Sequence, residues 1–277
     1  MISVKKDFEN IPYPLSKEHC ENGTQERTAT TNEDRRKTVI ENEQYDDNFN
    51  DRYKHKEIRK ELGRIYKEKC AFCEQNQEIM HVEHYRPKTK YYWLAFSWDN
   101  LLLACAKCNG SGNKASHFPV ENTAIVSPKI DCSDIDLSKI NNFCKEYDEL
   151  EKPLLLNPEQ EEDLHFRFSF DRNGEICPTN SNDEQAKQTI DVIKLNRDSL
   201  KIARKKIIDD FEKSVIGKKV KDKGELRRHV MHEMEMLREK ADIQNSDENF
   251  LAFRTYVVNE GIMKQIIKSA FGQSNQK

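Results

Sequence analysis

CAFCEQNQEIMHVEHYRPK, residues 70–88, decides how this chain folds. It opens on two cysteines with two residues between them, Cys70 and Cys73. It ends on a short stretch in which Val82 and Tyr85 flank the adjacent polar pair Glu83-His84. A C-x2-C pair lets two thiolates on one tight turn face a single cation. A second pair, Cys105-Ala-Lys-Cys108, follows about thirty residues later. Two such turns brought together make a tetrahedral sulfur site, which suits zinc, a borderline-soft ion without redox chemistry. Four protein ligands leave no position for water, so this zinc is expected to be structural. Any chemistry then belongs to residues between or beside the pairs. The other cysteines, Cys20, Cys132, Cys144 and Cys177, lack ligand spacing, and Cys132 and Cys144 read as ordinary thiols.

The rest of the chain bounds this reading. Of 277 residues, 36% are hydrophobic and 34% charged, which predicts a largely helical protein with a small core in each part. Aromatic and aliphatic residues recur along most of the length, which argues against disorder. The formal net charge is −3, so no global positive field draws the chain to a polyanion, and any such site must be a local patch. No apolar run is long enough for a signal peptide or a membrane span. The expected compartment is therefore the cytosol, where eight cysteines serve as metal ligands or core thiols rather than disulfides.

Four parts are expected. Residues 1–68 form an extended or linker segment, with the polar stretch 20–51 a solvated linker or exposed helix, followed by a helix whose stripe is Ile58, Leu62, Ile65 and Tyr66. Residues 69–120 form a compact cysteine module. Residues 121–180 form a connector with a hairpin, in which Asn173-Gly174 turns between two short alternating runs. Residues 181–277 are helical, with helices expected over about 183–195, 198–216, 222–242 and 247–270.

Between the cysteine pairs, Glu83 and His84 sit side by side on an expected strand. A carboxylate can hold a hard divalent cation, and a neutral imidazole can take a proton from water. Asn109, directly after Cys108, offers an amide oxygen as a second hard ligand. A Mg²⁺ or Mn²⁺ ion held there would keep several waters and grip a phosphate oxygen. His81 shares the strand face of Glu83 and reads as a surface histidine.

The layout C-x2-C, Glu83-His84, Asn100-Leu101, and Cys105-x2-Cys108-Asn109 with Lys114 beyond resembles the HNH nucleases. The resemblance implies an α+β fold: a ββα-metal finger with a four-cysteine zinc knuckle, embedded in a mostly helical protein. It implies His84 as the general base, Glu83 and Asn109 as ligands of the catalytic cation, and Asn100 as the residue that orients His84 through its amide. Two positions depart from the common pattern. The usual Asp-His pair is Glu-His here, one methylene longer, and the last letter is Asn109 rather than His. The stretches VEHYRPK, YYWLAFSWDNLLLAC, CNGSGNKASHFP, PLLLNP and HFRFSFDRNGEICP narrow the likeness. They resemble the HNH subunit of Septu-type and retron-associated anti-phage systems, over residues 70–205. That likeness implies a separate ATPase, encoded by a neighbouring gene, as partner.

Arg86, Lys88, Lys90, Lys107 and Lys114 outnumber Glu83 and Asp99 between residues 81 and 120, which suggests a local basic surface for backbone phosphates. His117 is a candidate to touch the scissile phosphate. Tyr91, Tyr92, Trp93 and Trp98 read as core. NGSGNK (109–114) is not a phosphate loop, because Asn113 rather than glycine precedes Lys114 and Ala115 follows it. The expectation is a metal-dependent endonuclease acting on nucleic acid, DNA foremost, without a membrane partner. The rival is a non-catalytic, zinc-stabilised adaptor that binds an ATPase partner, docked through the C-terminal helical region 181–277, or nucleic acid. A transcription-factor-like finger fits less well, since it leaves Glu83-His84 idle and lacks a basic recognition helix near the cysteines.

Overall fold

The alternating stretch ahead of Arg86 becomes strand β1 (Met80–His84), and the apolar run LLLAC becomes strand β2 (Leu101–Cys105). The two pair antiparallel, with Met80 opposite Cys105 at one end and His84 opposite Leu101 at the other. Every β2 side chain is buried, as a continuous apolar run requires. The computed structural model describes residues 1–16, 31–110, 112–126, 143–216 and 222–273. The chain forms two compact units, one of Val4–Phe72 with Asn76–Gln160, the other of Glu161–Lys277 with Met1–Ser3 and Cys73–Gln75.

In the first unit, the polar stretch read as a solvated linker or exposed helix carries a helix, α1 (Asn32–Glu41). Thr31 and Asp34 form a reciprocal capping box at its start. Val39 and Ile40 are buried, and the guanidinium of Arg36 donates to the Phe96 carbonyl at 2.8 Å. Residues 17–30, with Cys20, lie outside the described residues, as does Cys132. One short helical turn follows, α2 (Asn50–Tyr53), then the expected amphipathic helix α3 (Lys56–Tyr66). Lys67 ends α3 in the left-handed region, φ 50°, and hands the chain to the first cysteine pair. Ala71 N–H then donates to the Leu103 carbonyl at 2.8 Å, tying that turn to β2. A single helical turn, α4 (Ala106–Asn109), follows β2, and α5 (Phe143–Glu151) lies further on. Tyr91, Tyr92, Trp93 and Trp98 are buried in the core between the strands' loop and its neighbours.

The second unit contains the hairpin, β3 (Phe168–Phe170) paired with β4 (Ile176–Pro178). The turn is longer than the two residues Asn173-Gly174 predict. Asp171 Oδ1 accepts from the N–H groups of Asn173 and Glu175, at 2.9 and 2.8 Å, and builds a loop over 171–175. Helices α6 (Glu184–Ile193), α7 (Asp198–Ile216) and α8 (Lys223–Lys240) match the expected segments. The last expected helix is two, α9 (Leu251–Asn259) and α10 (Ile262–Gln273), broken where Gly261 takes φ 90°.

Gly174 also sits at positive φ, 80°, and a Cβ there would lie 2.5 Å from the Lys201 carbonyl oxygen. Strain and overlap against backbone act together. Gly174→Ala is therefore expected to destabilise its unit by on the order of 2–4 kcal/mol. A denaturant midpoint unchanged from the parent would contradict this.

Candidate catalytic cleft and thiolate site

Cys70 and Cys73 come from the turn after α3, Cys105 ends β2, and Cys108 lies one helical turn on in α4. All four are buried, and their Sγ atoms lie within 4.8 Å of one another. Zn–S bonds of about 2.3 Å place the sulfurs of a tetrahedral site about 3.8 Å apart. The donor set and its spacing fit a metal ion such as zinc with little movement. Among the described residues, no other group of three His, Cys, Asp or Glu side chains is placed to hold an ion.

An open cleft in the first unit gathers the candidate catalytic residues. His81, Glu83, His84, Lys88 and Asn109 all line it, joined by Tyr53, Lys54, Thr89 and Ser116. Antiparallel pairing carries β1 to His84, and the turn of α4 brings Asn109 back along the strands to the same cleft.

His84 is only 5% exposed. Its Nε2 lies 2.9 Å from the Ala95 carbonyl oxygen, which can only accept, so Nε2 carries the hydrogen and Nδ1 keeps the lone pair. Burial pushes the imidazole's pKa down to about 3. The Ala95 carbonyl opposes this, and the charges of Lys114, Lys88 and Lys54 add to it. The ring is neutral at physiological pH. The Tyr53 ring stands edge-on to it, centroids 4.5 Å apart at 72°.

Glu83 is buried as well, and burial raises its pKa despite the opposing charge and hydrogen bond of Lys114. Lys114 Nζ lies 2.5 Å from Glu83 Oε1 and 2.6 Å from the His84 carbonyl oxygen. A divalent cation in this cleft would find one carboxylate, half engaged, and one amide oxygen. That set fits an ion that keeps water and accepts phosphate oxygens rather than one held in an all-protein cage.

Three expectations change. Asn100 does not touch His84. Its Oδ1 accepts from Arg86 N–H at 2.7 Å, and its Nδ2 donates to the Arg86 and Leu94 carbonyls, each at 3.1 Å. Its amide is spent on the backbone of the loop that carries Ala95, so it acts on His84 through that loop. Arg86 is fully buried rather than a nucleic-acid contact. Its guanidinium pairs with Glu151 at 2.5 Å and with Asp148, and lies over the Phe118 ring at 4.8 Å, clamping α5 to the strand loop. Lys114 is fully buried on Glu83 and is equally withdrawn from the surface. Lys88 lines the cleft, whereas Lys90 and His117 are exposed outside it.

Sequence reasoning missed Tyr53, Lys54 and the Ala95 carbonyl. The first two sit at the end of α2, ahead of the cysteine module, and nothing in NDRYKHK (50–56) marks them out. A main-chain carbonyl carries no residue signature at all.

This geometry defines a class: a two-stranded module braced by four thiols, with an imidazole and a carboxylate in a cleft beside it. No family model matches the chain. Two curated relatives do, both called Septu protein PtuB. That of Bacillus mycoides (strain KBAB4) is 30% identical over 178 residues, 58% of this chain and 54% of the relative. That of Bacillus thuringiensis is 35% identical over 80 residues, 27% of this chain and 30% of the relative. The chain thus spans about half the length of the first and under a third of the second. These names support the Septu side of the resemblance and say nothing of the HNH side. Among the described residues, no helix is long and apolar enough to cross a membrane.

Proposed function

We propose that this chain is a metal-dependent endonuclease of the HNH type that hydrolyses phosphodiester bonds of nucleic acid, DNA foremost. Its role is that of a cytoplasmic effector of an anti-phage system with a separate ATPase. The observation that carries the reading is the cleft itself. It joins a neutral, tautomer-fixed His84 to Glu83 and Asn109, on a strand–loop–strand–helical-turn sequence braced by four thiols. Likeness to proteins named Septu supports the defence role. The ATPase would be a second protein, since Lys114 is bound to Glu83 and lies in no phosphate loop.

In this mechanism His84 Nδ1 takes a proton from water, and the hydroxide attacks phosphorus in line as the 3′ oxygen leaves. A divalent cation on Glu83 and Asn109 would neutralise charge gathering on the phosphate and the leaving oxygen. An imidazole with a pKa near 3 is a weak base while the cleft is empty. Burial foremost and three lysines depress it, and a phosphate anion in the cleft offsets only the lysines' part. Four cysteines on zinc hold the frame and take no part in proton transfer. Asn100 and Ala95 fix the tautomer.

The test is supercoiled plasmid with the purified chain, with and without the partner and ATP. Nicking is expected with Mg²⁺ or Mn²⁺ and none without added divalent cation. One observation favours the adaptor instead: Lys114 already occupies an oxygen of Glu83. No cutting under any of these conditions, partner and ATP included, would favour that reading over the nuclease.

A further inference from the structure

The cleft has a rim that the resemblance does not supply. Lys54, exposed on the residue after α2, lines it beside Tyr53, and Lys88 lines it from the loop after β1. Lys88 rests over the Tyr45 ring, 3.9 Å from its centroid, with Asp47 Oδ1 at 2.6 Å. The Asp47 side chain is 81% exposed, so that pair is solvated and weak, and it yields readily to a competing anion. The carboxylate inside the cleft, Glu83, is already matched by Lys114. Thr89 and Ser116 add hydroxyls. Tyr53 and Tyr45 are 5% and 8% exposed, so neither offers a face on which a base could stack. What remains at the mouth is cationic and hydroxylic, which suits phosphate and carries no base readout.

We propose that Lys54 and Lys88 form a phosphate-binding rim above His84 that takes the nucleic-acid backbone without reading sequence, with Tyr53 as the positioning residue that holds the imidazole edge-on. This deepens the nuclease reading and rests on it. Both lysines line the same cleft as His84, Glu83 and Asn109, which places them beside the phosphate that this reading puts there.

The experiment measures fluorescence anisotropy of the full chain with two labelled DNA duplexes of unrelated sequence, over a salt series without added divalent cation. Lys54→Ala and Lys88→Ala should each weaken binding several-fold, by the same factor on both duplexes. Each should also flatten the log–log salt slope by about one, the signature of one lost phosphate contact. Lys54→Arg should keep both affinity and slope. In the plasmid assay Tyr53→Leu should lower kcat about tenfold or more with KM unchanged, whereas Tyr53→Phe, which keeps the ring, should cut like the parent. Wild-type affinity and slope in Lys54→Ala, or a factor that differs between duplexes, overturns the rim. If the parent cuts plasmid while the lysine variants bind as it does, this inference alone fails. If the parent neither binds nor cuts, the nuclease reading fails with it.

Discussion

His84→Ala is expected to lose plasmid nicking by a factor of about 10² to 10⁴, the scale on which general-base catalysis contributes, while keeping its metal and its fold. One nitrogen decides the effect. Nε2 is engaged with the Ala95 carbonyl at 2.9 Å, so Nδ1 is the ring's basic atom. Removing a buried imidazole also leaves a small cavity against Tyr53, so some stability is lost. Circular dichroism and metal content must therefore be recorded beside activity. Glu83→Gln serves as the companion, since it keeps the side chain's length and removes the charge that would hold a divalent cation. Undiminished cutting by folded His84→Ala, carrying its full complement of zinc, would remove the histidine from the mechanism.

The second large effect concerns the thiols. Four buried Sγ atoms within 4.8 Å of one another become an ion site whose binding free energy is also folding free energy, about 10–16 kcal/mol for structural zinc. Purified chain is expected to carry one zinc per molecule by elemental analysis. Cys105→Ser, or stripping with a strong chelator, should abolish the cooperative melting of the unit built on β1 and β2. The loss should reach the cleft as well. Asn109 follows Cys108 directly, and the Lys114 N–H bonds the Cys108 carbonyl at 3.3 Å, so both Asn109 and the partner of Glu83 hang from the thiol turn. Zinc-free protein that melts at the parent temperature would show the thiols to be ordinary core residues.

How much of this was legible in advance follows from the range over which each signal acts. The two C-x2-C pairs announce a common ion because each is a local spacing rule, and the structure brings the four sulfurs together. Glu83 and His84 stand out because they are adjacent on an alternating run, and Asn109 because it follows a cysteine of the second pair; the structure lines one cleft with all three. Two members of the expected basic patch, Arg86 and Lys114, are buried for the opposite reason. Counting charges over 81–120 cannot see that Asp148 and Glu151, some sixty residues on, bury Arg86, or that Lys114 folds back onto Glu83. The charged stretch 20–51 left linker and exposed helix open because few apolar positions anchor α1, Val39 and Ile40 among them. The Asn-Gly turn lengthened because Asp171, two residues earlier, competes for its N–H groups. The Asn100 amide meets loop backbone rather than His84, since an amide's partners depend on a loop path that residue types do not encode.

The atom that dictates which imidazole nitrogen is basic belongs to the peptide chain at Ala95 and to no side chain. No codon change at position 95 deletes a carbonyl. Natural variants that undo this contact while sparing every side chain of the cleft and all four cysteines must therefore reroute the loop, by insertion, by proline, or by loss of the Asn100 tether. A survey that judges relatives active by ticking off reactive side chains would pass these dead copies as living ones.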